Sequence, residues 1–143
     1  MSSGIGQLII TNPYNEPEKH WLYDRESQEF KLKEGRRKSG YWKKSDQRLD
    51  NNDPGEFVEI ELVNRIRPRV KKWRESNYPN ITPTTKKLLE FWKDSKERDQ
   101  NQTPFFCQFE AVETAIWLTE GLDSDKQGIK LPNDSDWIRE CFK

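Results

Sequence analysis

The residues best placed to do chemistry are a glutamine and the aromatics before it. In "TPFFCQFEAVETAIWLTEG", residues 103–121, Gln108 stands near the start of an apolar, helix-forming run, just after Phe105 and Phe106. A glutamine amide both donates and accepts, which matches the N6 and N7 edge of adenine in a bidentate pair. A phenyl ring just upstream suits the face of the same base, and such stacking is worth about 1–3 kcal/mol per base. Aromatic, glutamine, helix is therefore an adenine-reading pattern. The competing reading is local: a glutamine at a helix start hydrogen-bonds a neighbouring backbone group. The local role is the commoner one for a glutamine in that position, and the adenine pattern alone is a weak signal.

The second constellation is basic. "RIRPRVKKWR", residues 65–74, gathers Arg65, Arg67, Arg69, Lys71, Lys72 and Arg74 with no acid among them. Phosphate backbones attract such a stripe, and Trp73 offers a ring for an exposed base. The alternative is the solvated side of a helix whose apolar face is Val63, Ile66, Val70 and Trp73. The charge balance of the whole chain, 25 basic and 25 acidic residues, favours that alternative.

Other chemistry is excluded by what is missing. His20 is the one histidine, and no G-x-S-x-G elbow accompanies it, so a Ser-His-Asp triad has no parts; His20 beside Trp21 reads as a strand residue. Cys107 and Cys141 with a single histidine make neither a zinc site nor a disulfide framework. Glu59 and Glu61 in "VEIEL" lack the following lysine of a metal-dependent nuclease. "GRRKSGYW" has the glycine spacing of a phosphate loop, but Tyr41 and Trp42 stand where lysine and a hydroxyl residue are required. No catalytic residue is assigned.

These candidates must be positioned by few elements. Trp21 and Tyr23 share one side of a short alternation, as do Phe30 and Leu32, with polar "DRESQE" between them: a β-hairpin pattern. Gly35 and Gly40 mark a further turn before Tyr41 and Trp42, and residues 43–55 have loop composition. Residues 1–13 read as a flexible start with a short strand at 7–10. Three helices are predicted at 58–76, 83–93 and 104–120. Pro68 is expected to break or kink the first. Thr82–Pro83 and Thr103–Pro104 are cap and first-turn pairs for the other two. Residues 122–136 read as an acidic loop. The predicted class is α+β, divided into 1–13, a hairpin and loop region at 14–55, and a helical region at 56–143. Apolar residues make 31% of the chain and aromatics 12%. That composition predicts a thin core built on large rings rather than disorder. No run approaches a membrane span and no signal sequence opens the chain, so a reducing, cytoplasmic setting with no membrane partner is expected.

"TPFFCQFEAVETAIWLTE" resembles the Q motif of superfamily 2 helicases. "NPYNEPEKHWLYDRESQEFKLKEGRRKSGYW", "DPGEFVEIELVNRIRPRVKKWRESNYP" and "TTKKLLEFWKD" are similar to the N-terminal region of DEAD/DEAH-box type III restriction endonuclease subunits. The likeness covers about residues 10–143, with "HWLYDRE" and "VNRIRPRV" its distinctive strings. It implies that Gln108 reads adenine, with Phe105 or Phe106 stacked on the base. It implies ATP and magnesium as cofactors of the full-length family, and none for this chain alone. It implies DNA, a RecA-like helicase remainder and a methyltransferase subunit as partners. "DWIRECFK" then resembles the strand leading into a phosphate loop expected just after Lys143, so the chain is expected to be a fragment without ATPase or nuclease activity. On that view Phe109, Val112, Ile116 and Trp117 lose the sheet they would pack on and leave an apolar patch. Two alternatives stay open: a small, ATP-independent nucleic-acid-binding module acting through residues 65–74, and a non-functional remnant.

Overall fold

The computed structural model describes residues 9–44, 53–94 and 103–131. Their order is β1 (Lys19–Asp24), β2 (Glu29–Glu34), β3 (Gly40–Lys43), β4 (Glu56–Glu59), α1 (Glu61–Glu75), α2 (Pro83–Lys93) and α3 (Phe106–Glu120). The class is α+β, as the sequence predicts: two antiparallel hairpins and three helices.

The first hairpin follows the alternation. Trp21 pairs with Leu32 and Tyr23 with Phe30, and the last two rings meet edge to face at 5.2 Å. Asp24 organises the turn by accepting from the Glu26 amide, the Ser27 hydroxyl and the Lys31 ammonium. Gly35 closes the other end with a φ of +87°, a conformation that costs other residues a Cβ clash. Its amide donates to the Glu18 carbonyl, and its carbonyl accepts from His20 Nδ1 at 2.7 Å. His20 is thus a strand residue.

The second hairpin departs from expectation. β3 pairs with β4, which occupies the start of the region predicted to be helical, and the first helix begins at Glu61 rather than 58. Trp42 meets Phe57 at 5.1 Å across the pair. Gly40 is required by close approach: a Cβ there would stand 2.4 Å from the Val58 carbonyl oxygen. Residues 9 and 10 form no strand; residues 7, 8 and 136–143, where other strand expectations fall, lie outside the described residues.

α1 runs through Pro68 without a break. Pro68 is exposed, opposite the buried Ile66, Val70 and Trp73, so packing on the other side holds the axis across the one amide that Pro68 lacks. After α1 the chain reverses through Asn77, Tyr78 and Asn80, all with left-handed φ. The Tyr78 ring packs edge-on against Trp73 at 4.8 Å, and Trp73 Nε1 donates to the Pro79 carbonyl at 3.0 Å. Those contacts hold a bulky residue in a backbone region it seldom adopts. Thr82 caps α2 through the Thr85 amide with Pro83 in the first turn, as predicted. α3 lies against α1, and the core is Ile66, Val70, Trp73, Tyr78, Leu89 and Trp117.

Candidate functional site

α3 begins one residue after Phe105, and neither Thr103 nor Pro104 caps it. The amide of Phe106 donates to the Pro13 carbonyl at 2.9 Å, and the amide of Phe105 donates to Gln108 Oε1 at 2.9 Å. Gln108 therefore acts as the reaching-back half of a capping box, one of the two readings open from sequence. It is exposed, and this bond leaves its amide N–H donors and one carbonyl lone pair for other partners. The two aromatics differ sharply. Phe105 is 43% exposed, with its ring 5.4 Å from Tyr14. Phe106 is partly buried and carries two guanidiniums near its ring, Arg36 at 5.2 Å and Arg74 at 5.3 Å from the ring centre. A base has more room at the exposed ring of Phe105, beside Gln108, than at Phe106, whose ring two cations already approach.

Those cations belong to a network that periodicity alone did not reveal. The core-facing stripe of α3 is Glu110, Glu113 and Trp117, all buried. Arg74 Nε donates to both oxygens of Glu113 at 2.8 and 2.9 Å, Arg74 Nη2 donates to Oε2 at 2.5 Å, and the Tyr78 hydroxyl donates to Oε1 at 2.5 Å. Arg36 grips Glu110 with two parallel bonds of 2.7 and 2.5 Å, and Glu110 also lies 3.9 Å from Arg74. Glu16 extends the chain of charges outward, 3.7 Å from Arg36 and 3.0 Å from Lys71.

The titration of the network follows from this geometry. Burial opposes the charge on Glu110, but the Arg36 hydrogen bonds and the fields of Arg36, Arg67 and Arg74 outweigh it, holding its carboxyl below the ordinary range. The Glu110 hydrogen bonds hold the Arg36 guanidinium above its usual value. Burial and the Glu113 carboxylate both push the Tyr78 phenol upward. Arg36, Arg74 and Lys71 are each paired with a carboxylate here, and the cluster is a brace between α1, α3 and the segment after β2. Sequence carried one signal for it: carboxylates three apart, in line with Trp117, on a face that should be apolar.

The six cations of residues 65–74 do not form one stripe. At 3.6 residues per turn, Arg65, Arg69 and Lys72 fall on one flank of the buried face of α1, and Arg67, Lys71 and Arg74 on the other. Arg65 donates to the Gly128 carbonyl at 2.6 Å, and Arg69 donates to the carbonyls of Asp125 and Gln127 at 2.8 and 2.7 Å, tying the loop after α3 to α1. Lys71 and Arg74 are paired in the network, and Lys72 is exposed. Arg67 donates to the Arg37 carbonyl at a long 3.4 Å.

Trp117 is fully buried, and Phe109, Val112 and Ile116 pack partly buried against the same core, so much of the face expected to be open is covered by α1. Cys107 is exposed. Among the described residues no cluster of His, Cys, Asp or Glu could hold a metal ion, and no helix is long and apolar enough to cross a membrane. Comparison with protein-family models, with curated proteins and with solved structures finds no match to this chain.

Proposed function

We propose that this chain is the N-terminal, adenine-recognising module of an ATP-dependent restriction helicase subunit of the type III class. It contributes base recognition to an ATPase whose phosphate-handling parts lie outside these 143 residues. The reading rests on the resemblance of residues 10–143. The observation that best supports it is the exposed Gln108 in the first turn of α3, beside the accessible ring of Phe105. The brace behind α3 supports it further, because a base-reading amide works only on an element that does not shift.

Because Gln108 Oε1 also caps the helix, alanine would mix a folding effect with a recognition effect. Gln108→Glu separates them. A carboxylate still accepts from the Phe105 amide and suits a helix N-terminus, but it has no donor for adenine N7. ATP should shift the amide resonances of residues 105–109 more than GTP does, and Gln108→Glu should abolish that preference while the rest of the spectrum stays folded. The chain alone should not hydrolyse ATP, because handling of the γ-phosphate needs a phosphate loop and a metal-binding acid. Equal response to both nucleotides, or hydrolysis by the pure chain, would sink the reading.

A further inference from the structure

The residues between β2 and β3 separate two hollows. The larger, of about 420 Å³, opens among Thr11, Lys19, Trp21, Arg37, Lys38 and Arg67; the smaller, of about 330 Å³, lies against Leu22, Trp42 and Phe57. Arg36, Arg37 and Lys38 wall both. Among the described residues, the larger hollow is lined by five permanent cations and no carboxylate.

The surrounding carboxylates neutralise only part of that wall. Lys19 has Glu34 at 3.2 Å, Lys38 has Glu59 at 2.9 Å, and Arg36 is held by Glu110. Arg37 and Arg67 have no carboxylate within ion-pair distance among the described residues. Arg67 is the more telling of the two. It is half-buried, with one long bond to a carbonyl. Burial, and then the charge of Arg36, hold its guanidinium below its ordinary value, with Glu110 and Glu16 offsetting part of the effect. A partly desolvated cation beside a like charge is stabilised by whatever anion enters next to it. The hollow at the far end of α1, of about 400 Å³, lacks this property, since Arg69 there is already satisfied by two carbonyls.

We propose that the larger hollow binds a phosphate-bearing anion, with half-buried Arg67 below it and exposed Arg37 and Lys38 at its mouth. Arginine forks match phosphate oxygens in geometry as well as charge, and the lining offers no competing negative group. The same chemistry has two sources, a free polyphosphate or the backbone of a nucleic acid. This site is separate from Gln108 and stands or falls independently of adenine recognition.

Calorimetric titration at low salt tests it, with sodium pyrophosphate and a short dT oligomer as probes. The proteins are the full chain, Arg67→Gln, Arg37→Gln, and Lys87→Gln as a charge-matched control on α2. At least one probe should saturate, weakened about tenfold by Arg67→Gln and by Arg37→Gln and unchanged by Lys87→Gln. Arg37 is exposed and its side chain is bonded to nothing among the described residues, so Arg37→Gln reads binding even if Arg67→Gln disturbs the fold. Tighter pyrophosphate identifies a free polyphosphate. A tighter oligomer, with a salt slope that falls by about 0.7 for each lost contact, identifies a strand backbone. Saturation by neither probe overturns the proposal, as does equal weakening in all three variants.

Discussion

Glu113 is the residue on which the helical half most depends. Its carboxylate is fully buried, yet it receives three hydrogen bonds from Arg74 and one from Tyr78. A buried ion pair contributes little net stability over an apolar replacement, but removing one partner strands the other. Glu113→Ala leaves the Arg74 charge and the Tyr78 hydroxyl without an acceptor, and should cost about 3–5 kcal/mol in urea unfolding. Glu113→Leu combined with Arg74→Met removes both charges and should recover more than half of that loss. A single-variant cost below about 1 kcal/mol would mean that water reaches the pair and that the brace is not rigid. This residue shows the limit of reading the site from sequence. Gln108 and Phe105 are visible because an aromatic and a glutamine stand close together at the start of a local helical pattern. Glu113 acquires its role only through Arg74, 39 residues away, just as Glu110 does through Arg36, 74 residues away.

Between elements, a carboxylate adds a polar link from α3 to α2 beside the shared core of Leu89 and Trp117. Glu120, the last residue of α3, accepts from the Thr82 amide at 2.8 Å and the Thr85 hydroxyl at 2.7 Å, so it serves as a second cap for α2. An anion there also opposes the positive end of the helix dipole. Glu120→Ala should leave the α1–α3 packing intact while amide exchange in the first turn of α2 accelerates relative to that in α1. Unchanged exchange in the first turn of α2 would mean that α2 docks through its apolar residues alone. The same contacts explain which elements were legible. α2 was found within its observed limits because Thr82 and Pro83 are local signals that the fold leaves alone. The first hairpin was legible because Trp21, Tyr23, Phe30 and Leu32 alternate on both strands. β4 was not, because only its pairing with β3, across a composition-poor stretch, makes residues 56–59 extended. Thr103–Pro104 misled because the Pro13 carbonyl and the Gln108 side chain take the first amides of α3 instead. Pro68 misled because it faces water on a helix held from the other side.

For the molecule as a whole, these bonds set the response to acid. Asp24 is lowered from 3.8 to about 2 by its hydrogen bond from Lys31 and that from the Glu26 amide. Glu120 is lowered by the bonds from Thr82 and Thr85, and Glu110 by Arg36 against the effect of burial. In each case the folded carboxyl releases its proton more readily than the unfolded one. The stabilisation is therefore fully present above the unfolded value, 4.5 for the glutamates, and is lost as pH falls through the folded value. Stability should hold level from neutrality down to about pH 5 and then decline. Salt separates the contributors. Asp24, paired with Lys31, lies at the surface, where about 1 M salt shortens the range of charge–charge interactions to roughly 3 Å, whereas Glu120 is held by bonds from uncharged groups that salt does not screen. Glu110 is enclosed by Arg36, Arg74 and the helices, and its share persists. Urea midpoints followed from about pH 7 to about pH 3 should therefore show an acid limb that shrinks at high salt without vanishing. Glu110→Gln should reduce the salt-resistant remainder and lower stability at neutral pH. If high salt erases the whole limb in the unaltered chain, the exposed pairs carry the acid response and the enclosed network is electrostatically silent.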